Sequence, residues 1–453
     1  MDQAELARVD AAFRAFHQQF APLFGRIEAQ RRGEQYLRGL LVQQTDRRNA
    51  ENLAEAVDGA TPRALQRLLT EAPWPTAPVI DALHAYLAPR VAHPDGVLVL
   101  DDTGFAKQGT RSVGVARQYS CSLGTVGNCQ IGVFLGYVAP RGHALIDMGL
   151  YLPQAWADDP ARRERAGVPA EVTYQTKAAL GLAMLRAAET RGHLHTRWVT
   201  GDEGYGQVPS LRDGLDTGGW WYVLEVPRPT PVFTETAATA VPAWSGRGRK
   251  PTRPRLVDGA PRPQPAEAVA AALPATAWQV LPVAEGTQGP RTYQFAACRV
   301  WESRDGLPGR ASWLVLRRNL DGTEAKYSLS NASPDTALAT LGRVGAWRWP
   351  IETLFQSEKG ETGLDEYEVR GWRGWHHHIA LALLAGAFLL TVRQDWGEKD
   401  ARGDHPPGQP GAARGAAAPH LDGRRPPRLV ERHPTAQRPR LPLPCQTALK
   451  QSA

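Results

Sequence analysis

A chain of 453 residues, 42% of them hydrophobic, is long enough for two or three domains and a large core, and reads as a soluble globular protein. The formal net charge of +7 favours a polyanionic partner, nucleic acid first, although many basic proteins bind nothing of the kind. The four cysteines, Cys121, Cys129, Cys298 and Cys445, have no paired metal spacing and exclude a disulfide framework, the opening "MDQAELARVD" is unlike a signal peptide, and the longest apolar run, 379–392, is too short to span a bilayer. The expectation is a cytoplasmic, nucleoid-associated protein with reduced thiols and no membrane contact.

Residues 1–94 read as helical throughout, with apolar spacing near 3.6 in "FRAFHQQFAPLFGRIEAQ" and "YLRGLLVQQ". Within them, "NLAEAVDGATPRALQRLL" gives a helix, a turn at Gly59, and a second helix capped by Thr61 with Pro62 at its start. That is the outline of a helix-turn-helix. Arg63, Gln66 and Arg67 would then face a DNA major groove, and plain helix packing is the other reading.

From residue 95 the texture changes to short strands: "GVLVLDD", "VGVARQYSCS", "QIGVFLGYVAP" and "HALIDMGLYLP" suggest a meander. A helix over 174–190, the strand "TRWVTGD", a short helix after Gly206 and the strand "WWYVLEVP" carry the order βββαβαβ to residue 227. This predicts an α/β core, a mixed sheet flanked by helices, with its site at the strand ends. Asp101, Asp102 and Asp202 end apolar strands, and a desolvated carboxylate there is costly unless a partner or cation neutralises it.

Residues 228–345 interrupt the pattern. Their first part is rich in proline and arginine, and Arg247, Arg249 and Lys250 make a basic arm suited to phosphate, with a solvated linker as the alternative. Their second part returns to strands, so the segment reads as a β-rich insertion.

Residues 346–397 resume the core. Pro350 fits only a first helical turn, so a helix begins near Trp349, and Gly360 is its natural stop. At about 100° per residue Ile351, Leu354 and Phe355 make its buried stripe, while Glu352 and Lys359 line up along the edge. Arg348 and Lys359 bracket Glu352 with positive charge. "HHHIALALLAGAFLLTV" is apolar on every face and predicts a core helix, its histidines a polar helix entrance rather than a metal site. Residues 398–453, rich in Pro, Arg and Gly, read as a disordered tail.

The segments "VLVLDDTGFAKQG", "SVGVARQYS", "VTGDEGYG" and "RWPIETLFQSEKGETGLDEYEVRGWRGWHHHIAL" together resemble the DDE transposases of bacterial insertion sequences, over roughly residues 10–395. The resemblance implies an RNase H-like core, with an all-α N-terminal domain and the β-rich insertion before the glutamate helix. It implies Asp101, Asp202 and Glu352 as the catalytic, metal-holding triad for two Mg²⁺ ions, with Mn²⁺ as a substitute. Arg348, Glu352 and Lys359 match the spacing of that family's Tyr-Arg-Glu-Lys helix, while its tyrosine falls on Gly345, which leaves a hairpin route of second-strand cleavage open. Arg348, Lys359 and Lys107 would contact DNA phosphates, and Trp372 and Trp375 could stack on an extruded base. The implied activity is cleavage of double-stranded DNA at element ends and joining of the 3′-OH to target DNA by a homodimer. A non-cleaving DNA-binding relative and a nuclease without strand transfer are the alternatives.

Overall fold

The computed structural model describes residues 3–43, 47–120, 124–284 and 291–402. The expected tail lies, from residue 403 on, outside the described residues, as do Cys121 and Cys445; Cys129 and Cys298 carry free thiols.

Five helices open the chain: α1 (Gln3–Phe20), α2 (Ile27–Val42), α3 (Ala50–Glu55), α4 (Pro62–Thr70) and α5 (Thr76–Val91). The Thr61 side chain caps α4 by accepting from the Ala64 N–H at 3.4 Å, and Gly59 takes the left-handed turn between α3 and α4 at φ +66°. The buried face of α4 is Leu65, Leu68 and Leu69, leaving Arg63, Gln66 and Arg67 exposed.

The strands and helices of the middle follow: β1 (Val97–Ala106), β2 (Ala116–Ser120), β3 (Thr125–Ala139), β4 (Gly142–Leu150), α6 (Gln154–Ala157), α7 (Pro160–Ala166), α8 (Lys177–Arg191), β5 (Trp198–Gly201), α9 (Glu203–Gly206), α10 (Pro209–Thr217) and β6 (Trp221–Val226). Strand β3 pairs antiparallel with β1 along one edge and with β2 and β4 along the other. Strands β1, β5 and β6 run parallel, in the register Leu100–Gly201–Leu224.

The remaining elements are β7 (Pro231–Phe233), β8 (Thr239–Ala240), β9 (Arg255–Leu256), β10 (Gln264–Pro265), α11 (Ala266–Ala272), β11 (Gln279–Ala284), β12 (Arg291–Arg304), β13 (Leu307–Arg318), β14 (Ala325–Ser330), α12 (Leu338–Ala346), α13 (Pro350–Ser357) and α14 (Trp372–Arg402). The β-rich segment is no separate sheet. β14 pairs antiparallel with β6, so among the described residues one mixed sheet of twelve strands runs from β10 through β13, β14, β6, β5 and β1 to β2. Only the exposed ribbon of β8 and β9, which carries Arg247, Arg249 and Lys250 in its loop, stands apart.

Helices lie on both faces of this sheet. Leu100 of β1 meets α8, where Gly181 leaves room for it, while Phe134 of β3 packs edge-on against Phe355 of α13 at 5.4 Å. Helix α14 is long and apolar enough to cross a membrane, which the 379–392 run by itself is not, yet most of it is buried inside the protein. It packs against α1, α2, α4, α5 and β4, with Phe13 and Phe16 on Phe388 at 5.5 and 5.4 Å. Its histidines bind no common point: His377 bonds the Leu68 and Trp74 carbonyls, and His378 bonds Tyr36 and the Gly363 carbonyl.

Two helix ends differ from the sequence reading: α14 runs on to Arg402, past residue 398 where the expected tail begins, and the Glu352 helix ends late. The helix carrying Glu352 does not stop at Gly360; one π-turn, Glu358–Thr362, follows α13 and ends at Gly363 in the left-handed conformation, φ +66°. A π-turn adds a residue to the local repeat, so it rotates Lys359 off the line a regular helix would give it.

Candidate active site

The site forms where β5 leaves the sheet. Strand β1 stays paired with β3 through Ala106, but its pairing with β5 ends at Leu100–Gly201, so beyond Leu100 one edge of β1 borders an open crevice. The three residues just past the aligned set Leu100, Gly201 and Leu224 are Asp101, Asp202 and Glu225. Three carboxylates therefore stand in a row at the C-terminal ends of three adjacent parallel strands. Alternation puts Asp101, opposite Phe134, on the α13 face, and Asp102 on the α8 face with Leu100. Lys177, the first residue of α8, donates to both oxygens of Asp102 at 3.1 Å.

Asp202 is the N-cap of α9, accepting from the Tyr205 N–H at 3.2 Å. Gly206 lets that helix lie directly on β6: a Cβ there would collide with the carbonyl of Glu225. This close approach fixes Asp202 beside Glu225.

Arg348, in the link between α12 and α13, reaches across the row. Its Nε lies 3.3 Å from Glu225, its Nη1 3.9 Å from Asp101, and its Nη2 donates to Glu352 at 2.8 Å. Burial alone would depress this guanidinium, but Glu225, Glu352 and Asp101 outweigh it and raise its pKa. The aspartates move the other way from ordinary carboxylates. Burial, with the charges of Asp202 and Asp102, holds Asp101 well above the usual range despite Arg348, and burial with Asp102 and Glu225 raises Asp202.

Lys359, on the π-turn, donates to Thr103 Oγ1 at 2.8 Å and the Gly104 carbonyl at 3.4 Å, so it grips β1 just past the aspartates. Burial lowers its pKa, against the pull of Asp365. It also lines a cleft of about 1300 Å³ together with Lys107, Arg47 and Arg370, the carboxylates Asp365, Glu366 and Glu368, and Gln66 and Thr70 of α4. Lys107 rests 3.5 Å over the Tyr367 ring, and burial lowers its ammonium to about 8.

The other expected residues separate. Arg63 and Arg67 are exposed on α4, and Arg67 pairs with Glu71 at 2.8 Å. Trp375 cannot stack on a base: it is fully buried, its N–H donating to Tyr367 at 3.1 Å, while Trp372 leans on the His376 ring at 4.3 Å. The exposed tryptophan near the carboxylates is Trp349, 49% exposed and three residues before Glu352. Gly345 faces β6, where a Cβ would press the Val223 side chain at 3.3 Å. Glu225 and Tyr205 went unread in the sequence; a lone carboxylate inside the apolar "YVLEV" was the available signal.

The donor set suits a hard divalent cation: Asp101 and Asp202 are half-buried oxygen donors that repel each other, and the buried Tyr205 hydroxyl lies beside Asp102, Asp101 and Asp202. Among the described residues no three such side chains are grouped closely enough to enclose an ion, and Arg348 holds Glu352.

The family model for DDE superfamily endonucleases matches residues 19–290, more than half of the chain. The chain belongs to the DDE superfamily endonucleases. The matched span of this DDE family member includes Asp101, Asp202 and Glu225 and stops before α13. No curated protein matches it. Among solved structures it is similar to piggyBac transposase in the cryo-EM structure of its synaptic complex with hairpin DNA, at 10% identity and a TM-score of 0.30. The match covers 68% of this chain and 49% of that one, so this chain spans about half the length of the transposase.

Proposed function

We propose that this protein is a DNA transposase of the bacterial insertion-sequence type, which cleaves the ends of its element and joins the freed 3′-OH to target DNA. The observation that carries the reading is the row Asp101–Asp202–Glu225 at one end of three parallel strands, with Glu352 brought to it by Arg348. The order β6, β5, β1 and β3 with helices on both faces supports reading this core as RNase H-like.

Asp101, Asp202 and Glu352 would hold two Mg²⁺, or Mn²⁺ in their place, and two such ions activate the attacking oxygen and stabilise the leaving one. The chain's own groups do the rest. Arg348 presents its terminal nitrogens where a scissile phosphate would sit beside Asp101, and its fork geometry suits two phosphate oxygens. Lys359 fixes the strand segment after Asp102 and adds positive charge to the cleft wall. Double-stranded DNA lying along that cleft would meet Lys107 and Arg370 and reach Arg63 and Arg67 on α4. Trp349 is placed to cover a base exposed at the cut. The protein would act as a homodimer on two element ends in the cytoplasm.

The test is incubation of labelled element-end DNA with protein and Mg²⁺, read on a denaturing gel. Cleavage that EDTA abolishes and that Asp101→Asn lacks, with end binding retained, supports the reading. Cleavage that continues in Asp101→Asn removes it. A pre-cut end that never joins plasmid leaves a nuclease without strand transfer, and a strand of about double length reports a hairpin.

A further inference from the structure

We infer that Glu225 is a positioning residue that holds Arg348 by its Nε, leaving Nη1 and Nη2 to pass from the carboxylates of the site to a phosphate of bound DNA; this rests on the reading above. An arginine has five N–H donors in a fixed plane, and how that plane is anchored decides which of them face the reaction. Here the anchor is separate from the working end. Nε forms an ion pair with Glu225 at 3.3 Å, while Nη2 donates to Glu352 at 2.8 Å and Nη1 lies 3.9 Å from Asp101.

Glu225 is built as an anchor. Its side chain is only 7% exposed, its backbone is fixed in β6 opposite Ser328 of β14, and its second oxygen lies 3.7 Å from Lys326, which also reaches Glu203 at 3.7 Å. Glu352 is the opposite: its side chain is 38% exposed, at the first turn of α13. Of the two carboxylates, Glu352 has the freedom to exchange partners and Glu225 does not.

The exchange has a clear electrostatic direction. When Asp101 and Glu352 serve as oxygen donors to cations, their claim on Arg348 weakens, and a DNA phosphate supplies the anion that Nη1 and Nη2 then face. Glu225 keeps the guanidinium in place through this change. Without it, Arg348 would be free to turn onto Asp101 and Glu352 with both terminal nitrogens and compete for the residues the chemistry needs.

The experiment is a double-mutant cycle of Glu225→Gln and Arg348→Ala, with melting temperatures recorded for all four proteins. Each is measured for single-turnover end cleavage in Mg²⁺ and for end-DNA affinity in Ca²⁺, where cleavage does not intervene. Glu225→Gln, which keeps the volume, is expected to slow cleavage at least tenfold, to weaken DNA binding several-fold, and to raise the Mg²⁺ concentration for half-maximal rate. In the Arg348→Ala background it is expected to change neither rate nor affinity by more than about twofold. Additive losses, or a wild-type-like Glu225→Gln at unchanged melting temperature, overturn the inference. If Glu225→Gln proves unfolded, Glu225→Asp replaces it in the same cycle. A wild-type protein that binds ends but does not cut removes the nuclease reading alone, since the cycle is still read in affinity; one that neither cuts nor binds overturns both.

Discussion

Tyr36 of α2 and His378 of α14, far apart in the chain, share a hydrogen bond of 2.8 Å in the buried seam between the N-terminal helices and the core. The other ring nitrogen, Nε2, bonds the Gly363 carbonyl at 3.1 Å, so the neutral ring accepts from Tyr36 and donates to Gly363. A single imidazole thus ties α2 to the stop of the π-turn that carries Lys359.

That tie should fail in acid. Burial, with Lys107 adding to it, pushes His378 down to about 3. A histidine whose folded pKa is depressed contributes stability that is present above its unfolded value, about 6.5, and is lost as pH falls toward the folded value. Between pH 7.5 and 5 this one group should cost about 2 kcal/mol. His377, lowered to about 4 by burial, adds to the same limb. His378→Gln should unfold more easily at pH 7.5 but lose less on acidification; urea titrations at the two pH values check this, and an unchanged acid slope counts against it.

The opposite limb belongs to Glu358. Its carboxyl is buried beside Gly386, whose Cβ would occupy the same space, and accepts from Thr362 Oγ1 at 2.8 Å. Burial pushes it up to about 8. For an acid raised in the folded state, stability is fully present below the unfolded pKa near 4.5 and is lost as pH rises through 8. Glu358→Gln should therefore remove about 3 kcal/mol of the loss seen between pH 6 and 9. Thermal melts across that range give the comparison, and parallel curves for the two proteins would show that the carboxyl is already ionised in the folded state.

Asp101 and Asp102 divide two jobs across one strand. Asp101 faces α13 and Arg348, while Asp102 faces α8 and is neutralised by Lys177. Asp101→Asn should abolish cleavage, by at least a thousandfold, with end binding intact. Asp102→Asn should keep cleavage within about tenfold of wild type, because Lys177 rather than the reacting centre loses its partner. Single-turnover rates decide, and the reverse ranking moves the assignment by one residue.

What could be read from the chain follows from how local each feature is. Asp101 and Asp202 stand out because a charged residue at the end of an apolar strand is visible within a few positions, and Pro350 announces the start of α13 in the same way. Glu225 obeyed the same rule but lay inside a strand that continues past it, and its level with Asp101 and Asp202 depends on a register between strands distant in sequence. The joining of β14 to β6, which merges the insertion with the core sheet, is equally non-local. The π-turn escaped because one extra residue breaks the 3.6 period on which a stop at Gly360 rests, and Trp375 because an aromatic at a helix start looks alike in the core or over DNA.

The loop between β8 and β9 offers the last test. The ribbon is two residues wide on each strand and pairs only with itself, and its loop, 241–254, holds Arg247, Arg249, Lys250 and Arg253, all exposed, with no acidic residue among them. Such a loop buries too little to stabilise the fold, so replacing 241–254 with a short glycine linker should leave the melting temperature nearly unchanged. If its cations meet DNA phosphates, removing each one should lower the slope of log affinity against log salt by about 0.9, hence by up to about 3.6 for all four. End-DNA titrations over a range of salt concentrations measure that slope for both proteins. Equal slopes would mean that the arm stays in solvent when DNA binds, and a drop in melting temperature would mean that it packs where the exposed ribbon shows no partner.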